Sequence, residues 1–502
     1  MQPQPAYDEL LRRNREASLL GSCAELLGWD ELTCMPAAGA ANRAEQLALM
    51  AGLQHDRATD PRLGELLAAV EASSLTADPD SIAAANVREL RRFYDRQVRL
   101  PRSLVEETAR VTSLAQQEWA AARQDDDFAR YRPWLERVLA VRRREAEFAG
   151  ADDPYDALLD EYEPGARHTD LARLFGELRR ELLPLLDALS GSSRVPDAAV
   201  LHREYPVERQ RQFGELAAAA IGFDFRAGRL DTTVHPFFST IGPGDCRITC
   251  RFDARDFCEG FFGILHETGH GLYEQNLDPA HYGTPVGEAP SLGWHESQAR
   301  LWENTVGRGR AFWRYFFPQA QRLYPATLRD VAPDEFYFAV NRVERSLCRV
   351  EADEVTYNLH ILFRFELEQA LVSGDLAPAD LPGAWNEASE RFLGVVPASD
   401  AEGCLQDGHW GSGLIGYFPT YTLGNLIAAQ LFARAEAELG GFDDAFSRGD
   451  FGGLLGWLRE RVYRQGSRYP AGRLVEVATG SPLSHRPLVQ ALWRKYGELY
   501  GL

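Results

Sequence analysis

Lysine is almost missing from this chain: Lys495 stands alone, and arginine supplies the rest of the permanent positive charge. That bias is compositional and carries little functional weight. Arginine in place of lysine is not by itself a mark of heat stability. Positive charge as a whole is short, with 54 Lys and Arg against 74 Asp and Glu and a net charge of -20. A surface of that sign does not neutralise phosphate, which argues against nucleic-acid binding. It argues equally against a polybasic membrane anchor. Long apolar runs are missing too, and no stretch approaches the roughly 18 residues of a membrane span. The opening residues, MQPQPAYDELLRRNRE, are charged and hold no apolar signal core. The seven cysteines, Cys23, Cys34, Cys246, Cys250, Cys258, Cys348 and Cys404, are odd in number and irregular in spacing. They include no paired CxxC, so a structural zinc ribbon is disfavoured and a reduced chain is expected. These absences lead to the expectation of a cytoplasmic protein with neither a membrane nor a nucleic-acid partner.

What is present is mostly helix. Apolar residues recur at three- and four-residue spacing over 7–27, 36–54, 80–99, 103–123, 128–149 and 168–190. Asp153-Pro154, Thr169-Asp170 and Ser481-Pro482 read as helix starts. No fixed-period repeat and no Gly/Ser or Pro-rich linker divides the chain. The softest boundary is 191–196, GSSRVP, with similar composition on both sides. The expectation is one body over 1–502, with an N-terminal helical subdomain to about 190 and a catalytic portion over 191–502. One stretch departs from helix, DTTVHPFFSTIGPGDCRITCRF at 231–252. Thr232, Val234, Phe237 and Phe238, then 247–252, predict two short antiparallel strands joined by a turn at Gly242-Pro243-Gly244-Asp245. Such a sheet either offers an edge to an extended peptide or packs as a plain hairpin, and both readings stay open.

The motif that carries chemistry is HExxH, His266-Glu267-Thr268-Gly269-His270 within FFGILHETGHGLYEQ. On a helix these two histidines share a face with Cβ atoms about 5–6 Å apart. Two imidazoles so placed can hold one Zn²⁺ at about 2.0–2.1 Å. Glu267 then sits beside the metal, where a base takes a proton from activated water. The bland alternative is a chance pair of histidines on a buried helix face. The apolar flanks Phe261, Phe262, Ile264, Leu265 and Leu272 favour a helix buried beneath a cleft. A third ligand is needed, and Glu296 in Trp294-His295-Glu296-Ser297-Gln298 is the candidate. Otherwise Glu296 is a carboxylate favoured at a helix N-terminus. His295 competes with it, but adjacent helical residues point about 100° apart, so one alone reaches the metal. No third histidine follows at short spacing, which disfavours the metzincin pattern.

HETGH followed by HESQ resembles the carboxypeptidase Taq family of metallocarboxypeptidases. Further elements agree in order. His235-Pro236-Phe237 fits HPF, and Asp245-Cys246-Arg247-Ile248-Thr249 fits DxRxT. Cys348-Arg349-Val350-Glu351-Ala352-Asp353 fits IRxxAD, with the smaller apolar Cys348 in place of isoleucine. Gly403-Cys404-Leu405-Gln406-Asp407-Gly408-His409-Trp410 fits GxxQDxHW. Trp29-Asp30 with Met35-Pro36, and Tyr417-Phe418-Pro419-Thr420-Tyr421, extend the resemblance over essentially the whole chain. It implies a mainly α, two-lobed body with a deep central groove and a small sheet near the active site, like angiotensin-converting enzyme and neurolysin. It also implies removal of single residues from peptide C-termini with broad specificity, zinc or cobalt as the metal, and a cytoplasmic homodimer.

Recognition of a free C-terminal carboxylate suits a planar arginine fork. Arg349 and Arg247 are the candidates, with Arg349 preferred; a salt bridge to Asp245 or Asp353 is the competing reading. Gln406 joins them as a substrate-binding candidate. His409, Tyr417, Tyr421 and His235 are candidate donors to the oxyanion or the substrate backbone. Asp353 or Asp407 is expected to orient a metal-bound imidazole. The rival activities are an endo-oligopeptidase or dipeptidase on the same fold. A non-catalytic helical scaffold is a more distant rival, because a scaffold has no need of Glu267.

Overall fold

The computed structural model describes residues 2–502. Helices Pro3–Thr33, Ala40–Ala58, Ile82–Arg99, Arg102–Asp125, Phe128–Ala149 and His168–Ser190 account for the six periodic stretches. Short polar side chains, Ser81 and Asp127, start two of them by accepting backbone N–H groups that lack an intrahelical partner. Asp127 accepts from Arg130 N at 3.1 Å ahead of Phe128–Ala149, and Gly150 ends that helix at φ 74°. Asp153 accepts from Tyr155 N and Asp156 N and starts Pro154–Leu159, as its sequence predicts. The other two starts fall differently. Thr169 and Asp170 already lie inside the helix that opens at His168. After Ser481-Pro482 the chain stays irregular until Arg486, because Gln430 Nε2 holds the Ser481 hydroxyl and carbonyl at 3.1 and 3.2 Å.

One large apolar cluster runs from Ala115 to Tyr500 and includes both Leu189 and Ala198, on either side of 191–196. A smaller one gathers Ala6, Tyr7, Leu10, Leu66, Leu67, Val70, Val87 and Leu90 from the N-terminal helices. Helix Thr356–Ser373 is buried on almost every side, taking Asn358, His360, Arg364 and Glu368 into the core with it. Polar groups at that depth need partners, and theirs help build the site described below.

The sheet corrects the predicted antiparallel pair. It has three strands, β1 (Gly228–Thr232), β2 (Phe238–Gly242) and β3 (Asp245–Cys250), in the order β1-β3-β2. β2 runs antiparallel to β3 around the predicted turn, with Phe238 opposite Ile248. β1 runs parallel to β3, with Leu230 opposite Ile248. Thr232 closes β1 and does not continue into Phe238, because Pro236 has no N–H for a ladder and breaks the run. Of the residues of β1 only Leu230 is buried, so the strand has almost no alternating signal in its sequence. Among the described residues no helix is long and apolar enough to cross a membrane.

Candidate active site

The HExxH segment lies on helix Phe257–Asn276, which begins where Asp256 accepts from Glu259 N at 3.0 Å. Phe261, Phe262, Ile264, Leu265 and Leu272 are all buried, as a helix beneath a cleft requires. Helix Leu292–Arg300 starts at Ser291, whose hydroxyl accepts from Trp294 N at 3.2 Å. The two helices touch backbone to backbone at Gly269. A Cβ there would lie 2.4 Å from Gln298 O and 2.6 Å from Ala299 Cα. Helix Pro419–Leu439 closes from the other side at Gly424, where a Cβ would lie 2.7 Å from Glu296 Cγ. Two glycines thus bring three helices close enough to seat Glu296 against the histidines.

His266, His270 and Glu296 each offer a ligand atom, and these atoms lie within 4.8 Å of one another. Glu296 Oε2 is 3.8 Å from His266 Nε2 and 3.7 Å from His270 Nε2. A tetrahedral ion about 2.0–2.1 Å from each donor sets donors about 3.4 Å apart, close to this spacing. The far side of every group is engaged. His266 Nδ1 lies 2.9 Å from Glu303 Oε2. His270 Nδ1 lies 2.6 Å from His295 Nδ1, and His295 Nε2 lies 3.1 Å from Glu274 Oε1. Glu296 Oε1 accepts from Arg300 Nε at 2.6 Å. Such outer contacts fix the tautomer and orientation of metal-binding side chains, so the donor set fits a divalent ion. His295 does not face the trio; it stacks on His270 with centroids 4.6 Å apart and planes at 23°. Neither Asp353 nor Asp407 backs an imidazole of the trio, contrary to the sequence reading. Asp353 accepts from Glu344 N, Val355 N, Thr356 N and the Thr356 hydroxyl, a capping arrangement. Asp407 is taken up between two arginines.

Burial pushes the Glu267 carboxyl up to about 7. Burial, with His295, His266 and Arg300 nearby, holds His270 well below its usual range, in the neutral form that ligates metals. At His266 burial opposes charge, but Glu296 and Glu303 outweigh it and raise the pKa. At Glu303 burial also opposes charge, and Arg300 and His266 prevail, bringing it down to about 2.

A second group forms from the other elements. Arg349 is buried and donates from Nε and Nη2 to Asp407 Oδ1 at 2.9 and 2.8 Å. Its Nη1 donates to the Tyr357 hydroxyl at 3.0 Å, and its guanidinium lies 5.0 Å over the Tyr421 ring. Asp407 Oδ2 accepts from Arg364 Nε at 2.6 Å. Burial disfavours charge on Asp407, yet Arg349 and Arg364 hold its carboxyl far below the usual range. Burial and the same two cations bring His409 down to about 4, and its Nε2 lies 2.9 Å from the Tyr421 hydroxyl. The Tyr417 ring lies 5.3 Å from Tyr421 and 5.6 Å from His409. Burial and nearby anions, Glu296 among them, keep both phenols protonated as donors. The two groups meet at Tyr357, whose hydroxyl also accepts from Arg300 Nη2 at 2.7 Å.

Three candidates stand apart. Arg247 donates from Nε and Nη2 to the two oxygens of Asp245, both at 2.8 Å, and lies 4.2 Å over the Trp29 ring. Gln406 spends its amide on backbone: Oε1 accepts from Arg349 N at 3.1 Å, and Nε2 donates to Leu347 O and Glu402 O. His235 is exposed in the bend between β1 and β2. Arg300, Glu303, Tyr357 and Glu274 were not anticipated. Arg300 and Glu303 follow Glu296 at four and seven residues, a one-face helical spacing that the sequence does display. Tyr357 has no such signal.

Residues 9–496 match the family model described as carboxypeptidase Taq (M32) metallopeptidase. The chain is 51% identical to thermostable carboxypeptidase 1 of Thermus thermophilus, over 100% of both sequences. It is 36% identical to carboxypeptidase 1 of Bacillus subtilis, over 98% of each. Its fold is similar to the crystal structure of M32 carboxypeptidase from Deinococcus radiodurans R1, with a TM-score of 0.95, 43% identity, and coverage of 99% of this chain and 100% of that one. The HExxH helix, the carboxylate clasped against it and these full-length similarities lead to one conclusion: the chain belongs to the carboxypeptidase Taq (M32) family of metallopeptidases.

Proposed function

We propose that this protein is a metal-dependent carboxypeptidase that releases single C-terminal residues from peptides with broad specificity, using zinc, with cobalt as the alternative. One observation carries the C-terminal part of the reading: Arg349, linked to the metal trio through Tyr357 and then Arg300, has donors to spare. Its contacts with Asp407 and Tyr357 use one N–H each on Nε, Nη2 and Nη1. A guanidinium has five, so one remains on each terminal nitrogen. These N–H groups remain for a carboxylate to accept from.

His266, His270 and Glu296 hold the metal in this reading. A divalent metal there supplies a Lewis acid and brings the pKa of water towards neutrality. Glu267, poised by burial near 7, takes the proton of the attacking water and returns it to the leaving amine. His409, Tyr417 and Tyr421 supply donors for the oxyanion. His235 contacts the substrate backbone, Gln406 acts by holding the backbone of Arg349, and Arg247 acts by fixing β3. We further propose a cytoplasmic homodimer, built as one body with an N-terminal helical subdomain to about residue 190. Helix Ala40–Ala58 supports a subunit contact, since it buries none of its residues and leaves Leu49 64% exposed.

The test is one peptide in two forms, with a free and an amidated C-terminus, given to wild type and to Arg349→Ala. The reading predicts single-residue release from the free form and no cleavage of the amide, with Arg349→Ala losing this preference. Cleavage of the amide by the wild type would favour the endo-oligopeptidase or dipeptidase alternative.

A further inference from the structure

Tyr357 is 4% exposed, and its hydroxyl oxygen is shared by two guanidinium groups. Arg349 Nη1 reaches it at 3.0 Å and Arg300 Nη2 at 2.7 Å. Arg300 also lies 4.2 Å over the Tyr357 ring, so the phenol holds that arginine by both face and oxygen. The remaining edge of Arg300 faces the metal trio: Nε donates to Glu296 Oε1 at 2.6 Å, and Nη1 is 3.3 Å from Glu303 Oε2. Glu303 in turn backs His266. A continuous path of hydrogen bonds therefore runs Asp407–Arg349–Tyr357–Arg300–Glu296.

Two like charges meet on one neutral oxygen in this path. Each guanidinium is held by its own carboxylates, Asp407 on one side and Glu296 with Glu303 on the other. An added carboxylate on the remaining N–H groups of Arg349 offsets positive charge on that side. Less repulsion then reaches Arg300 across the phenol oxygen, and Arg300 keeps its grip on Glu296.

We propose that Tyr357 is a positioning residue that couples recognition of the C-terminal carboxylate at Arg349 to the setting of Glu296 at the metal. This rests on the assignment of Arg349 and of the His266, His270 and Glu296 trio made above. Coupling between two bound groups is reciprocal. A carboxylate seated at Arg349 therefore tightens metal binding, which is read as slower metal loss, and metal in the trio tightens carboxylate binding by the factor that the metal affinity gains.

The test uses zinc-loaded enzyme and the rate of zinc transfer to a chelator, with N-acetylphenylalanine or its amide present. In wild type the acid slows zinc loss several-fold and the amide does not. Tyr357→Phe keeps the ring under Arg300 and removes only the hydroxyl; the acid then has no effect on zinc loss. Its kcat/KM on free-C-terminus peptides falls about tenfold or more, with kcat lowered as well as KM raised. If Arg349→Ala still discriminates free from amidated peptides, the assignment of Arg349 itself is wrong. If Arg349→Ala loses that discrimination while Tyr357→Phe keeps the wild-type acid effect and kcat/KM, the coupling is overturned and the assignment stands. Should Tyr357→Phe lower the unfolding temperature of the metal-free protein, Arg300→Lys breaks the same bridge from the other end. It is expected to lose the acid effect as well, and its retention there overturns the proposal.

Discussion

Arg300 Nε lies 2.6 Å from Glu296 Oε1, one turn away on the same helix, and this contact decides which oxygen of Glu296 faces the two imidazoles. Outer contacts of this kind typically contribute about 10–100-fold to metal affinity. Arg300→Gln is expected to weaken zinc binding by about that factor, read by competition with a chelator of known affinity. Glu303→Gln is expected to do the same through His266. Wild-type affinity in both variants would show that these contacts do not set the site.

Glu267→Gln separates binding from chemistry. Glutamine keeps the shape beside the histidines but cannot carry a proton between water and amine. The variant is expected to hold one zinc per chain with turnover reduced by at least about 10²-fold. Zinc analysis and a peptide-release assay on the same preparation check this. Hydrolysis at the wild-type rate would remove Glu267 from the mechanism.

Gly269 and Gly424 are predicted to be irreplaceable for a packing reason. Alanine at Gly269 puts a carbon 2.4 Å from Gln298 O, and alanine at Gly424 puts one 2.7 Å from Glu296 Cγ. Overpacking of this kind costs about 1–3 kcal/mol and shifts the backbone. Both variants should unfold at lower urea and bind zinc more weakly. Gly263→Ala on the HExxH helix is the control, because its nearest contact is Cys250 Sγ at 3.7 Å. Equal stability of all three would mean that the helices are free to move apart.

Glu368 gives the stability of the chain a predictable pH dependence. It accepts from the Tyr155 hydroxyl, Gly416 N and Trp410 Nε1, yet burial pushes its carboxyl up to about 7. In the unfolded chain it titrates near the ordinary value of about 4.3. Between these values the folded chain keeps a proton that the unfolded chain has released, so the stabilising contribution is complete at low pH and is lost as pH rises towards about 7. Glu163, also raised to about 7 by burial, adds to the same slope. Urea unfolding of wild type and Glu368→Gln from about pH 5 to 8 isolates the Glu368 part. The difference between them should move in favour of the variant by up to about 3 kcal/mol as pH rises, and parallel curves would contradict it.

The histidine pair was legible because HExxH needs only helical spacing; for the third donor, helical geometry let one of His295 and Glu296 reach the pair, and the choice of Glu296 shows only in the fold. The helices were legible from their apolar periodicity. β1 was not, since only Leu230 gains from burial and its parallel partner β3 lies beyond β2 in the chain. The choice between Asp353 and Asp407 was equally hidden, because both sit in motifs and only the fold turns one into a helix cap and the other into an arginine clamp. Tyr357 belongs to no motif. Its part depends on two arginines, one on its own side of the site and one from the helix of Glu296, meeting at a single oxygen.

The most direct test of the central claim is mass spectrometry of a random peptide pool, half with free and half with amidated C-termini, after incubation with zinc-loaded enzyme. The account predicts ladders of single-residue losses from the free C-termini of the pool and an untouched amidated half. Internal cuts, release of dipeptides, or equal trimming of the amidated peptides would contradict it.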